Sequence, residues 1–230
     1  AKCTVTVKGS IGDASVAAIK TQVYTGKAIS PAPAVTYGGK KLTKNKDYTV
    51  SYSSNKAVGK ASLKITGKGL YKGTKIVNFN IRPAVVKNVK VVSTGEKSVK
   101  LTWKKVTGAD SYAVYRYNST SKKWKRIKTV KTASYTDSGL ARAKGYSYKV
   151  KAIKKVSGKE YISADYSKIA KAVTKPKKAS CTAKAADSGG ISVSWKAVGG
   201  ASGYEIYVSD NGNDFVKSAR VKSARKSAVL

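Results

Sequence analysis

The sequence predicts an all-β chain built as tandem antiparallel β-sandwich modules, and three observations carry that reading. Apolar and polar residues alternate at period two in short runs at 48–52 (Tyr-Thr-Val-Ser-Tyr), 99–103 (Val-Lys-Leu-Thr-Trp) and 191–195 (Ile-Ser-Val-Ser-Trp). Their apolar places hold β-branched and aromatic side chains, as half-buried strands require. Turn signals separate the runs at Gly38-Gly39, Gly67-Lys68-Gly69, Thr107-Gly108, Ser157-Gly158, Gly189-Gly190, Gly199-Gly200 and Asn211-Gly212. That spacing suits antiparallel sheets, not alternating β and α units. Finally, residues 98–115 recur at 190–207. A shift of 92 matches Trp103 with Trp195, Val106 with Val198, Gly108 with Gly200, Ala109 with Ala201, Tyr112 with Tyr204 and Tyr115 with Tyr207. Such a period is the length of one sandwich module, too long for a solenoid repeat.

In chain order the sequence divides into four stretches. Residues 1–13 open with Ala-Lys-Cys-Thr-Val-Thr-Val-Lys-Gly, which looks like the closing strand of a preceding Ig-like domain, followed by a linker. Residues 14–82 carry the alternations Tyr48/Val50/Tyr52, Ala61/Leu63/Ile65 and Val77/Phe79/Ile81 between glycine-rich corners. The runs at 24–27 (Tyr-Thr-Gly-Lys), 46–52, 67–74 and 79–81 resemble short Ig-like repeats of surface proteins from Gram-positive bacteria. Pro83 and the run Lys175-Pro176-Lys177-Lys178 mark the next junctions. Residues 84–174 have Trp103 near the end of a second strand, a Tyr-x-Val-Tyr third strand at Tyr112 to Tyr115, and Leu140 followed six residues later by Tyr146. These features resemble the fibronectin type III family as it occurs in bacterial extracellular proteins. Residues 176–230 repeat the pattern with Trp195 and Tyr204 as a second such domain. It is expected to be incomplete at its C-terminus, because Leu230 maps onto Ser138, before the counterparts of Leu140 and Tyr146. The reading is a fragment of a longer protein; completion by a strand from another chain and a divergent shorter module are the alternatives. The resemblance implies that Trp103 fills the core between sheets beside Tyr112 and Val114, with Trp195 and Tyr204 as their counterparts. It also makes Tyr146 the tyrosine-corner residue, bonded back to the backbone near Leu140. The family is a scaffold and names no ligand.

Composition narrows the function. The 230 residues hold 47 Lys+Arg against 11 Asp+Glu, a formal net charge of +36, with no His and no Met. A chain that opens at Ala1 without any Met reads as a processed or excised piece of something longer. The missing His excludes His-dependent triads, proton shuttles and His-containing zinc sites. No run approaches about 18 apolar residues, so no membrane span is expected. Only Arg82, Arg116, Arg126, Arg142, Arg220 and Arg225 are arginines. Lysine is a hydrated point charge, whereas arginine makes the bidentate contacts that read bases and phosphates. The excess therefore favours loose attraction to polyanions over sequence-specific nucleic-acid recognition.

Few residues invite chemistry. Cys3 and Cys181 lie in different modules, which disfavours a disulfide, and Cys181 aligns with Val89 as a small buried hydrophobe. Glu96, Glu160 and Glu205 are the only glutamates, and nothing pairs them into a hydrolase site. The run 210–214 (Asp-Asn-Gly-Asn-Asp) lacks the ligand alternation of a calcium loop and reads as a hairpin turn. No catalytic, cofactor-binding or metal residue is assigned. The most basic and aromatic stretch is Tyr115-Arg116-Tyr117 with 122–126 (Lys-Lys-Trp-Lys-Arg), inside the module of highest charge: +18 for 84–175 against +12 for 14–82 and +5 for 176–230. Arg116, Lys122, Lys123, Trp124, Lys125 and Arg126 are the candidate contact for a polyanion or glycan, with Trp124 as a stacking surface. The structural alternative is that Trp124 packs on the sandwich edge while the lysines guard strand edges from aggregation. The expected function is a non-catalytic stalk, spacer or adhesion segment of a bacterial protein outside the cell, at its surface or in its wall. Its expected partners are anionic wall polymers or glycans and the other modules of its parent. Accessory modules of a secreted, carbohydrate-active enzyme are the second reading, and dedicated polyanion binding, nucleic acid included, is the third.

Overall fold

The computed structural model describes residues 8–222 and 225–230; Cys3 and the opening run at 1–7 lie outside the described residues. The chain is all-β. Among the described residues one 3₁₀ turn, Ile11–Asp13, is the sole helical element. The longer strands are β1 (Val35–Tyr37), β2 (Tyr48–Ser53), β3 (Gly59–Gly67), β4 (Thr74–Arg82), β5 (Lys90–Ser93), β6 (Val99–Thr102), β7 (Ser111–Asn118), β8 (Lys123–Val130) and β9 (Ser134–Asp137). They continue with β10 (Gly145–Val156), β11 (Lys159–Ile162), β12 (Ala170–Val173), β13 (Cys181–Ala185), β14 (Ile191–Trp195), β15 (Gly203–Val208), β16 (Val216–Lys222) and β17 (Ser227–Val229). By proximity the chain forms two compact units, one of residues 1–89, 103–133 and 149–169, the other of residues 90–102, 134–148 and 170–230.

In the first unit, β2, β3 and β4 make one sheet with Gln22–Val23, and β1 makes another with Ser15–Val16 and Lys40–Lys41. The register sets Val50 opposite Ile65, Tyr52 opposite Leu63, Leu63 opposite Val77 and Ala61 opposite Phe79. The alternating apolar sets therefore face one way, because residues two apart on a strand share a face. They build a core with Val35, Leu42 and Tyr48. Ile11 is fully buried in that core, and Gly9–Ser10 pairs in parallel with Tyr71–Lys72. Residues 9–11 thus pack with this core; burying one isoleucine contributes about 1.5–3 kcal/mol. The same unit holds a second sheet in the order β8, β7, β10, β11. Tyr112, Val114, Val150 and Ala152 are buried at alternate positions, and Ala113 and Ile153 are buried as well.

The second unit contains the antiparallel sheet β5, β6, β9, with Val99 and Leu101 fully buried. Here β12 pairs with the first four residues of β10, Gly145 opposite Val173. Beyond it, β13, β14 and β17 form one sheet and β15 and β16 another, meeting over Val193, Trp195 and Ile206. β13 is exposed along its whole length. Cys181 is accordingly an exposed free thiol, which corrects the expectation of a buried one. Among the described residues the strand pairs on one side only, with β14.

Candidate functional site

The 92-residue repeat extends to atomic detail. Trp103 and Tyr112 are buried with ring centroids 5.3 Å apart, and Trp195 lies 5.2 Å from the half-buried Tyr204. The Tyr112 hydroxyl accepts a hydrogen bond from Val106 N at 2.9 Å, and that of Tyr204 accepts from Val198 N at 2.7 Å. Each tyrosine clamps the turn that follows its tryptophan. Leu140 is buried; Tyr146 is half-buried, and its hydroxyl accepts from Ala141 N at 2.9 Å. These residues fix turns and pack core rings.

The candidate contact residues fall on two faces. A bulge breaks the pairing of β7 with β8 between Val114 and Tyr115, so that Val114 opposes Lys128 while Tyr115 opposes Arg126. Beyond it Tyr117 opposes Trp124, whereas Arg116 opposes Lys125 and Asn118 opposes Lys123. Cross-strand partners share a face and neighbours along a strand alternate. Trp124 and Arg126 therefore lie on one face with Tyr115 and Tyr117, while Arg116, Lys123 and Lys125 lie on the other. Lys122 sits in the turn between the strands with a positive φ of 52°. Without the bulge the register would slip by one and turn Trp124 to the opposite face.

The face that carries Trp124 is completed by residues that the local sequence pattern does not reveal. Tyr117 and Trp124 have ring centroids 5.4 Å apart, and Tyr115 meets Tyr166 edge-on at 5.0 Å. Lys149, on β10, places its Nζ 4.5 Å from the Trp124 ring and 5.0 Å from the Tyr166 ring. Lys151 places its Nζ 4.3 Å from Tyr166 and donates to Ala164 O at 2.9 Å. Rings and ammonium groups alternate as a ladder, each such contact contributing about 0.5–1 kcal/mol at an exposed site. Burial pushes the Tyr115 phenol up, with Tyr166 adding to it, and burial pulls the Lys151 ammonium down. Arg126 closes one end: it donates to Thr129 Oγ1 at 3.0 and 2.6 Å and to Glu160 at 3.2 and 3.4 Å. Lys149, Lys151 and Tyr166 are far from 122–126 in sequence; the pairing of β7 with β10 brings the lysines alongside, and the loop after β11, tied back by Ser167 N–H to Val150 O at 3.0 Å, brings Tyr166.

The three glutamates all sit in ion pairs: Glu96 with Arg142, Glu160 with Arg126 and Glu205 with Lys217. Among the described residues no three of His, Cys, Asp or Glu gather in a way that could hold a metal ion. In the loop at 210–214, the Asn211 side-chain oxygen accepts from Asn213 N and Asp214 N, and its amide donates to Asp214, the geometry of a turn. No described helix is long and apolar enough to cross a membrane.

Comparison with known proteins adds context. No protein-family model matches the chain. It is 37% identical over 113 residues to a poly(3-hydroxybutyrate) depolymerase of Ralstonia pickettii, a match covering 44% of this chain and 21% of that protein. It is 29% identical over 136 residues to exoglucanase B of Cellulomonas fimi, covering 56% of this chain and 12% of that protein. The chain thus spans a small part of either relative. Among solved structures it is similar to an Fn3-like protein from Clostridium thermocellum, at 30% identity over 42% of this chain and 96% of that one, with a TM-score of 0.34. It is also similar to a fibronectin type III domain of a human protein, at 22% identity over 42% of this chain and 89% of that one, with a TM-score of 0.36. The all-β architecture is read from the strands and their buried faces described above.

Proposed function

We propose that this chain is a non-catalytic, polymer-contacting region of a larger extracellular protein. In this reading 84–174 and 176–230 are fibronectin type III-like modules behind a small Ig-like sandwich at 14–82. The observation that carries it is the ladder of Trp124, Lys149, Tyr166 and Lys151. Aromatic faces stack on sugar rings or apolar repeats, and ammonium groups attract phosphate, sulfate or carboxylate, so the face fits a polymer better than a small substrate. The two curated relatives are named as a depolymerase and an exoglucanase, which favours an accessory region beside a polymer-degrading catalytic domain over an adhesin.

The test is retention of the chain on anionic wall polymer, heparin, cellulose and poly(3-hydroxybutyrate) at near-physiological salt. Replacing Trp124 by Ala together with Lys149 by Gln should weaken binding to the retaining polymer about tenfold. Replacing Lys122 and Lys123 by Gln should leave it within about twofold, because those side chains lie off this face. Equal retention by the wild type and the Trp124→Ala, Lys149→Gln variant rejects the assignment.

A spacer role is the second reading, favoured by the strap on residues 174–178. The Lys175 N–H donates to Gly95 O, the Lys178 N–H donates to the Glu96 carboxylate, and Thr174 Oγ1 donates to Ala141 O. A linker tied down at three points transmits position better than a free coil.

A further inference from the structure

Arg82 leaves a buried hydrogen-bond donor unused. β4 ends at Arg82, and Asn80 and Arg82 face Lys159, Glu160, Tyr161 and Ile162 of β11 across a partly enclosed cavity of about 160 Å³, all within the first unit. The Arg82 Nε–H is buried with no hydrogen-bond partner. Among the described residues no carboxylate forms an ion pair with this guanidinium. A buried donor without an acceptor gives up its hydration and gains nothing for it, so native structures rarely leave one empty.

The charges around it deepen the imbalance. Burial is the main cause that holds the Lys151 ammonium below its usual range; Asp165 acts against it, and Arg82 adds a smaller push in the same direction as burial. Lys159 brings a second cation to the cavity wall, its Nζ 5.6 Å from the Tyr161 ring centroid. The cavity's one carboxylate, Glu160, is already held by Arg126 at 3.2 and 3.4 Å. Besides that paired carboxylate, the cavity presents a guanidinium edge, an ammonium and the Asn80 amide. A guanidinium edge offers two parallel N–H donors matched to two oxygens of one oxyanion. Donors arriving from two strands suit a tetrahedral anion better than a planar one.

We propose that this cavity binds a phosphate group, free or as a diester, with Arg82 as the bidentate donor, Lys159 as counter-charge and Asn80 as a third donor. None of the three proposed donors belongs to the Trp124 ladder, so either assignment can fail while the other stands.

The experiment is a titration of the full chain with inorganic phosphate, replacing chloride at constant ionic strength, read from the ¹⁵N–¹H signal of Arg82 Nε. A saturable shift with phosphate and none with chloride is expected. A parallel titration with dimethyl phosphate separates the sources: a shift there shows that diesters of a polymer are accepted, and a shift with inorganic phosphate alone shows a site for the free ion. Arg82→Gln, followed through the backbone amide signals of 159–162, should abolish binding. Lys159→Gln, at an exposed position, should weaken it about tenfold. Absence of a saturable phosphate shift, the same shift with chloride, or unchanged affinity in Lys159→Gln overturns the proposal.

Discussion

Two tyrosine hydroxyls carry more of the module architecture than their rings suggest. Tyr112 is buried against Trp103 and accepts from Val106 N, and Tyr204 does the same against Trp195 with Val198 N. Replacing Tyr112 by Phe keeps the ring packing and strands the Val106 N–H. The expected cost is about 1–3 kcal/mol, seen as a lower urea midpoint and faster hydrogen exchange at Val106. Tyr204→Phe should cost less, because Tyr204 is half-buried and water can replace the lost acceptor. A Tyr112→Phe protein as stable as the wild type would show that the ring alone holds the turn. At this scale the sequence was informative about which rings are large and regularly placed. The partners of the Tyr112 and Tyr204 hydroxyls were not legible, because a turn six residues upstream can be recognised as an acceptor's target only once the strand has folded back on it.

Among elements, the strap on residues 174–178 has a pH dependence. The Glu96 carboxyl is held below its ordinary value of 4.5, first by the hydrogen bond from Arg142 and next by the Lys178 N–H. A group depressed in the folded state contributes its stabilisation above its unfolded pKa and loses it as pH falls through the lowered folded value. The Lys178 amide signal should therefore hold steady from neutral pH down to about 4.5 and move only in more acidic solution. Glu96→Gln at neutral pH should reproduce the acid spectrum. A Lys178 amide that does not respond anywhere in the acid range means the strap does not depend on Glu96. The bulge in β7 and β8 is the other decisive element-scale feature. It recurs in β15 and β16 between Ile206 and Tyr207, again 92 residues on. Alternation within 122–126 was plain in the sequence, but a single extra residue reverses which members face the same way as Tyr117, and no local signal announces it.

For the whole molecule the net charge of +36 dominates. Many lysines and few acids make self-repulsion a global cost to the compact state, whereas the visible ion pairs are half-exposed and individually weak. Raising salt from about 0.01 M to about 0.15 M shortens the Debye length from about 30 Å to about 8 Å. The melting temperature should consequently rise over that range, while retention on any polyanion falls. A melting temperature that drops with salt would mean that pairs such as Arg126 with Glu160 and Arg142 with Glu96 outweigh the repulsion.

The all-β class, the 92-residue repeat and the identity of the large core rings follow from the residues alone, because alternation at period two and turn chemistry are local properties of a strand-forming chain. Which side chains meet is a long-range matter. Lys149 reaches Trp124, and Lys159 reaches the cavity of Arg82, only because strands distant in sequence pair side by side. Exposure likewise depends on what covers a strand, and nothing covers β13, so Cys181 faces solvent where its counterpart Val89 is half-buried. Register, bulge and cover are properties of the assembled sheets, and they decide which of this protein's many cations act together.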